Sequence, residues 1–336
     1  MTKKICISGY YGFDNFGDEA ILKTLVENLK KLKKEPNITV FSSSPEKTAK
    51  ELNVNSIYSF CLKDIVKSLL NSDYLISGGG SLLQDTTSAK SLIYYLGVIA
   101  LAQFLGKKTI IFAQGIGPIK NKYLEKLTAF TLKKAKYITV RDEKSINWLK
   151  KWEINATKCY DPVWNITTPN TEKTNIVGIQ LRTFPTMTEE VLNQLANLVN
   201  NYYSDREIHL LSLQNKLDLD ICNKLKNKLK SKNVKVIENS SNEKIIEDIS
   251  KLDILIAMRF HACLIGIKSG VKLLPINYDI KVEQLAKEFD LNCLNLEYTE
   301  INEEIFDAFN KNEIEYDKEK INNLMYDFSQ LEEFIS

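Results

Sequence analysis

Met258-Arg259-Phe260-His261 follows an apolar run, Leu252 to Ala257, in which only Asp253 is polar, and leads into Ala262-Cys263-Leu264-Ile265-Gly266-Ile267. Such a run reads as a buried strand that ends where a helix begins. In open α/β sheets ligands bind at that kind of junction. His261, one of two histidines in the chain, then sits at a helix N-terminus with Arg259 two positions before it, a place suited to an anion and a proton donor. A second reading of the same residues is a histidine that only caps its helix beside a solvated arginine.

Four further segments place polar groups or glycines after apolar runs. Ser8 to Glu19 contains Gly9, Gly12 and Gly17 but no G-x-G-x-x-G, so a dinucleotide site is disfavoured. Asp18 and Glu19 fall in a first helical turn, where they complement the dipole and repel phosphate. A hydroxyl-rich ligand fits this loop better: Asp14 and Asn15 can exchange hydrogen bonds with sugar hydroxyls, and Tyr10, Tyr11, Phe13 and Phe16 offer ring faces. Turn and cap roles for Asp14, Asn15 and Asp18 remain an alternative. Gly78-Gly79-Gly80 permits close backbone approach or an N–H nest, and Gln114-Gly115-Ile116-Gly117-Pro118 makes at least a turn. Arg141 ends the fourth run, and its guanidinium can hold a carboxylate or phosphate through two parallel bonds, unless Asp142 or Glu143 pairs with it. Asp161-Pro162-Val163 reads as a turn.

Stepping along the chain, apolar runs alternate with amphipathic ones. Strands are expected at Ile5 to Ser8, Thr39 to Ser42, Tyr74 to Ser77, Thr109 to Ala113 and Tyr137 to Val140, with helices at Glu19 to Leu32, Ser91 to Phe104 and Tyr123 to Lys136. A polar break follows Trp164, and a second series of strands then runs through Asn175 to Leu181, Ile208 to Leu213, Val234 to Ile237, Leu252 to Ala257 and Lys272 to Ile276. The fold class expected is α/β, two Rossmann-like doubly wound domains in a GT-B-like arrangement with an interdomain cleft. Their expected bounds are 1–168 and 174–315, with 316–336 as a C-terminal helix crossing back to the first domain. The second domain's rim carries Arg182, Lys216, Arg259, His261 and Lys281, so it is cationic where the first is partly acidic. That asymmetry suggests a transferase with an anionic donor on the second domain and a polyhydroxyl acceptor on the first.

Composition limits the alternatives. The 336 residues, 44% hydrophobic, can bury a large core, and 45 basic against 43 acidic residues leave a net charge of +2, which gives no reason to expect bulk nucleic-acid binding. The six cysteines are scattered without a C-x-x-C pair, which argues for reduced thiols in a cytoplasmic protein and against zinc. Neither a signal peptide nor a bilayer span is expected. Lysine clusters such as Lys133, Lys134 and Lys136 either touch an anionic leaflet or complement helix dipoles. His209, inside an expected strand, reads as structural. Asp14, Asp18 and Glu19 lack histidine partners, so no metal site is expected.

In this order, Gly9-Tyr10-Tyr11-Gly12 with Asp14 to Glu19, Gly78-Gly79-Gly80, Gln114 to Pro118, Arg141-Asp142, Asp161-Pro162 and Arg259-Phe260-His261-Ala262 resemble the polysaccharide pyruvyltransferase family, from about residue 5 to about residue 290. The likeness is greatest to the bacterial cell-surface-anchoring branch. It implies phosphoenolpyruvate as donor and co-substrate, no cofactor, and a 4,6-linked pyruvate ketal formed on an N-acetylmannosamine residue of a lipid-linked secondary cell wall polysaccharide precursor. It also implies donor binding by Arg141, His261 and Lys281 and acceptor binding by Asp14 and Asn15; on charge Arg259 joins the donor site, His261 is the expected catalytic acid, and a cytoplasmic place with peripheral contact at the inner leaflet is expected. Phosphoenolpyruvate carries about three negative charges near neutrality, which these cations could balance. A nucleotide-sugar glycosyltransferase and a non-catalytic glycan-binding protein are the rival readings.

Overall fold

A computed structural model describes residues 2–86, 88–296 and 301–335. The chain divides into two units, Met1–Ile166 with Leu324–Ser336, and Thr167–Asn323. The strands of the first are β1 (Lys4–Ser8), β2 (Asn37–Ser42), β3 (Asn55–Tyr58), β4 (Tyr74–Ser77), β5 (Gly80–Leu83), β6 (Lys108–Ile116), β7 (Tyr137–Val140) and β8 (Thr157–Lys158). They form one parallel sheet in the order β3-β2-β1-β4-β6-β7-β8, with β5 beside β6. Every residue of β4 and β7 is buried, which is why these segments are continuous apolar runs and do not alternate: helices cover both faces.

The second unit repeats the plan with β9 (Ile176–Gln180), β10 (Glu207–Leu211), β11 (Val234–Ile237), β12 (Ile254–Ala257), β13 (Lys272–Asn277) and β14 (Leu294–Asn295). The order is β11-β10-β9-β12-β13-β14, again all parallel. In both sheets the strand order reverses beside the first strand, between β1 and β4 and between β9 and β12. Chains leave such neighbours in opposite directions, which opens a crevice at their carboxyl ends.

Two differences from the sequence reading have local causes. The segment 316–336, read as one helix, holds two, Lys318–Asn323 and Ser329–Ile335, because Asp327 Oδ1 accepts the Ser329 N–H at 2.9 Å and restarts the chain as a new turn. Only the later piece returns to the first sheet, where Phe334 stacks on Tyr137 with centroids 4.1 Å apart and the Tyr137 hydroxyl bonds Gln330. Second, Gly80–Leu83, read as part of a glycine loop, is a strand, β5.

Candidate functional site

Three neighbouring strands of the second sheet, β9, β12 and β13, deliver Arg182, His261 and Lys281 to one rim. His261 lies in the first turn of the helix Phe260–Lys268 that follows β12, its ring edge-on to Phe260 at 5.2 Å. Lys281 lies in the first turn of Ile280–Glu288, a helix whose start is fixed by Asp279 accepting the Lys281 N–H at 3.0 Å. These two helices pack on each other. Gln180, fully buried at the end of β9, ties the crevice together: its Oε1 accepts the Arg259 N–H at 2.7 Å, so β9 sets where the chain turns into the histidine helix.

Arg259 is not a free cation. Asp218, with no exposed surface, accepts its Nε at 2.9 Å and its Nη2 at 2.6 Å, and Gln214 adds a longer contact at 3.4 Å. Asp218 Oδ2 also accepts the backbone N–H groups of Leu213 and Gln214, so the backbone holds the carboxylate independently of the guanidinium. Arg259 therefore meets an anion as half of a buried ion pair. Arg182 differs: its guanidinium lies 5.4 Å from the Tyr278 ring centre and 5.8 Å from that of Phe184, and Nη1 donates to the Tyr278 hydroxyl at 3.3 Å. Among the described residues it has no carboxylate partner, and its Nε is buried without a hydrogen bond. Lys216 is exposed on the neighbouring helix Asn215–Lys226. His209, on β10, bonds Glu207 Oε1 through Nε2 at 2.7 Å.

The first sheet's crevice is occupied by the protein itself. Tyr11 is 1% exposed, and its hydroxyl lies where a Cβ on Gly78 would stand, 1.9 Å away. Gly78 thus makes room for a tyrosine, and Gly80, with φ +100°, places its backbone where a Cβ would be 2.7 Å from Asp18 Oδ1. Phe16 is buried as well, so of the four rings read as sugar platforms only Tyr10 and Phe13 are partly exposed. These two stack on each other at 4.2 Å, and Phe60 meets Phe13 edge-on.

Beside them Asp14 takes a left-handed conformation, φ 56°, and accepts Lys47 Nζ at 2.7 Å. Asn15 occupies the N-cap of Phe16–Lys30, but its side chain accepts no N–H of the helix, and its amide instead donates to Asp18 Oδ2 at 2.5 Å. Glu19 accepts the Gly12 N–H at 2.7 Å. Burial, with Asp18, Asp14 and Glu51 adding negative charge, pushes its carboxyl up to about 8 against the opposing pull of the Gly12 N–H. A carboxyl so placed can carry and give up a proton near neutrality.

Arg141, at the end of β7, forms a buried ion pair with Asp161 and reaches Ser81 Oγ at 3.4 Å. Its Nε is buried without a hydrogen bond among the described residues. Neither adjacent acid takes it: Asp142 caps Glu143–Lys151 through Ser145 at 2.8 Å, and Glu143 pairs with Lys158 at 3.0 Å. A bulge in β6 at Ala113, φ 45°, turns Gln114 inward so that its amide donates to the Gly78 carbonyl beneath Tyr11. No group of three His, Cys, Asp or Glu side chains among the described residues could hold a metal ion.

The family model for polysaccharide pyruvyl transferase matches residues 15–280, from the N-cap Asn15 to the first residue of the helix that carries Lys281. The chain belongs to the polysaccharide pyruvyl transferase family. No curated protein matches the sequence of this family member. In fold this pyruvyl transferase is similar to the UDP-GlcNAc 2-epimerase of Methanocaldococcus jannaschii, with 12% identity, 94% of this chain and 95% of that one covered, and a TM-score of 0.64. It is also similar to the UDP-GlcNAc 2-epimerase of Neisseria meningitidis bound to UDP-GlcNAc, at 13% identity, 99% and 98% coverage and a TM-score of 0.62. Anabaena Alr3699/HepE in complex with UDP and glucose gives 9% identity, 99% and 98% coverage and a TM-score of 0.62. These likenesses concern the fold, two Rossmann-like domains of the GT-B class.

Sequence reasoning passed over Asp218 and read Asp161 only as a turn residue, although these are the carboxylates that hold the two arginines. Each is remote in sequence, 41 residues from Arg259 and 20 from Arg141. The available signal was Asp218 itself, a charge on the apolar side of a helix whose other inward residues are Ile221, Cys222 and Leu225.

Proposed function

We propose that the protein transfers the pyruvyl unit of phosphoenolpyruvate to a polysaccharide precursor as a 4,6-linked ketal on N-acetylmannosamine, releasing phosphate. The observation that carries this reading is the placement of Arg182, His261 and Lys281 after three adjacent parallel strands, at the point where the strand order reverses. Family membership supplies the transferase class.

In this reading Lys281 and Arg182 hold the donor's anionic groups, with Arg259 fixed beside them and Arg141 a further donor contact. His261, protonated, gives its proton to the methylene carbon of phosphoenolpyruvate, leaving an oxocarbenium-like centre at C2. A sugar hydroxyl attacks C2 and passes its proton to the phosphate oxygen that is about to leave. The C2–O bond to phosphate then breaks, and the second hydroxyl closes the ketal as His261 takes back a proton. Asp14 and Asn15 orient the sugar hydroxyls. The acceptor is lipid-linked and reached from the cytoplasm.

The test is incubation with phosphoenolpyruvate and a β-N-acetylmannosaminide, followed by phosphate assay and mass spectrometry of the sugar. Phosphate release matched by a product heavier by one carboxyethylidene unit is expected. Turnover of a UDP-sugar with none of phosphoenolpyruvate would overturn the reading.

A further inference from the structure

One face of the first domain has no role in that reaction. The helix Ala89–Phe104 turns outward Lys90, Ile93, Gly97, Ala100 and Phe104, residues three or four apart and uncharged except for the first. The helix Lys122–Leu132 packs beside it and exposes Tyr123, Leu127 and Phe130 at the same period. Gln103 bonds the Thr131 carbonyl at 3.0 Å, so the two stripes end side by side. Phe104 is 86% exposed, Tyr123 85% and Phe130 60%, values unusual for rings that a folded chain could have turned inward.

Basic residues outnumber acids around these rings, with Asp85 accepting the Lys120 and Asn121 N–H groups at the start of the second helix. Between residues 86 and 136 there are nine lysines and a single acid, Glu125. That glutamate is occupied by Lys151 at 2.6 Å and by Trp152 at 3.2 Å. Lys134 lies 4.1 Å from the Phe130 ring centre, a stem along an aromatic face with its charge outward. Beside it lies a cavity of about 470 Å³ whose wall includes Lys133, Lys136 and Phe334 together with one acid, Glu153.

We infer that this face docks on an anionic lipid bilayer, its rings entering the headgroup region and its lysines pairing with lipid phosphates. A ring of cations around an apolar stripe is complementary to that surface. It is not complementary to itself: a twofold pair through this face would set lysines against lysines. No helix among the described residues is long and apolar enough to cross a membrane, and the inference concerns lateral contact alone. It deepens the reading of a lipid-linked acceptor by assigning the contact to this face, and vesicle binding and pyruvyl transfer are measured separately, so either can fail without the other.

The experiment is co-sedimentation of the full chain with vesicles of phosphatidylcholine plus phosphatidylglycerol, against vesicles of phosphatidylcholine alone. Binding to the anionic vesicles, released by high salt, is expected. Phe104→Ser with Phe130→Ser should weaken it at least about tenfold, and Lys133→Gln with Lys134→Gln on the order of fivefold per lysine. Both pairs of changes lie on the surface and should leave the thermal midpoint in place. No binding of the unaltered chain to anionic vesicles overturns the inference, as does binding that neither pair of changes weakens. Self-association that Phe104→Ser with Phe130→Ser abolishes would assign the face to a second copy and overturn it too.

Discussion

Asp218 grips Arg259 along one edge of the guanidinium, Oδ2 at 2.9 Å from Nε and Oδ1 at 2.6 Å from Nη2, in a setting where the carboxylate has no exposed surface. The pair stands directly behind His261, since Arg259 is the N-cap of the histidine's helix. Removing one member leaves the other charged and buried, which costs about 3–5 kcal/mol. Asp218→Asn should therefore lower the denaturant midpoint by that order. Arg259→Met combined with Asp218→Asn, whose amide oxygen still accepts the Leu213 and Gln214 N–H groups, should regain most of the stability while donor saturation stays impaired. Equal stability of the single variant and the parent in urea unfolding would refute the pairing.

His261→Ala should lower turnover by about 10²–10⁴-fold, the usual contribution of a positioned general acid, with the thermal midpoint little changed. Near-normal phosphate release by this variant would remove His261 from proton transfer.

Arg141→Lys keeps a cation next to Asp161 but loses the planar fork, so it tests anion recognition without stranding a buried carboxylate. This variant and Lys281→Ala should chiefly raise the phosphoenolpyruvate concentration needed for half-saturation. Unchanged saturation in both would sink their assignment to the donor.

Glu19 gives the protein a pH dependence of definite sign. Its carboxyl is raised from 4.5 to about 8, so between those values the folded chain holds a proton that the unfolded chain has released. The associated stability is full below pH 4.5 and is lost as pH rises through 8, at a slope of up to about 1.4 kcal/mol per pH unit. Glu19→Gln keeps an acceptor for the Gly12 N–H and should flatten that fall, so the variant gains on the parent as pH rises. Parallel stability-against-pH curves for the two proteins would contradict the placement of Glu19.

Tyr11 and Gly78 are a volume pair. Gly78→Ala sets a methyl 1.9 Å from the Tyr11 hydroxyl and should destabilise by about 1–3 kcal/mol, the usual range for overpacking. The Tyr11 hydroxyl is buried without a hydrogen bond among the described residues, so Tyr11→Phe should be close to neutral alone and should restore part of the loss in the double variant. Additive losses in thermal unfolding would show that the two do not share the space.

Strand ends were legible in the sequence because buried parallel strands are apolar at every position, so the first polar residue after each run marks the rim. That signal located Arg141, Arg182, Arg259 and His261. What fills the rim was not legible. Gly78 reads the same whether it admits a ligand or Tyr11, because a glycine records only that space is needed. The partners of Arg141 and Arg259 were hidden for a different reason: a carboxylate on a helix or in a turn resembles any solvated one until the fold shows which way it faces. The short elements Asn55–Tyr58 and Pro45–Leu52 were missed because few of their residues are buried, so they carry little apolar pattern.

The returning tail has a consequence for synthesis. Leu324–Ser336 belongs to the first domain, so two covalent connections and not one join the domains, and the second is topologically an insert within the first. Chains emerge from the ribosome N-terminus first. The first sheet must therefore wait, lacking the piece that carries Phe334 to Tyr137, until the whole of the second domain has been made. During that interval Tyr74 and Tyr137 lack the cover they later receive from the tail, which acts as the latch of the first domain.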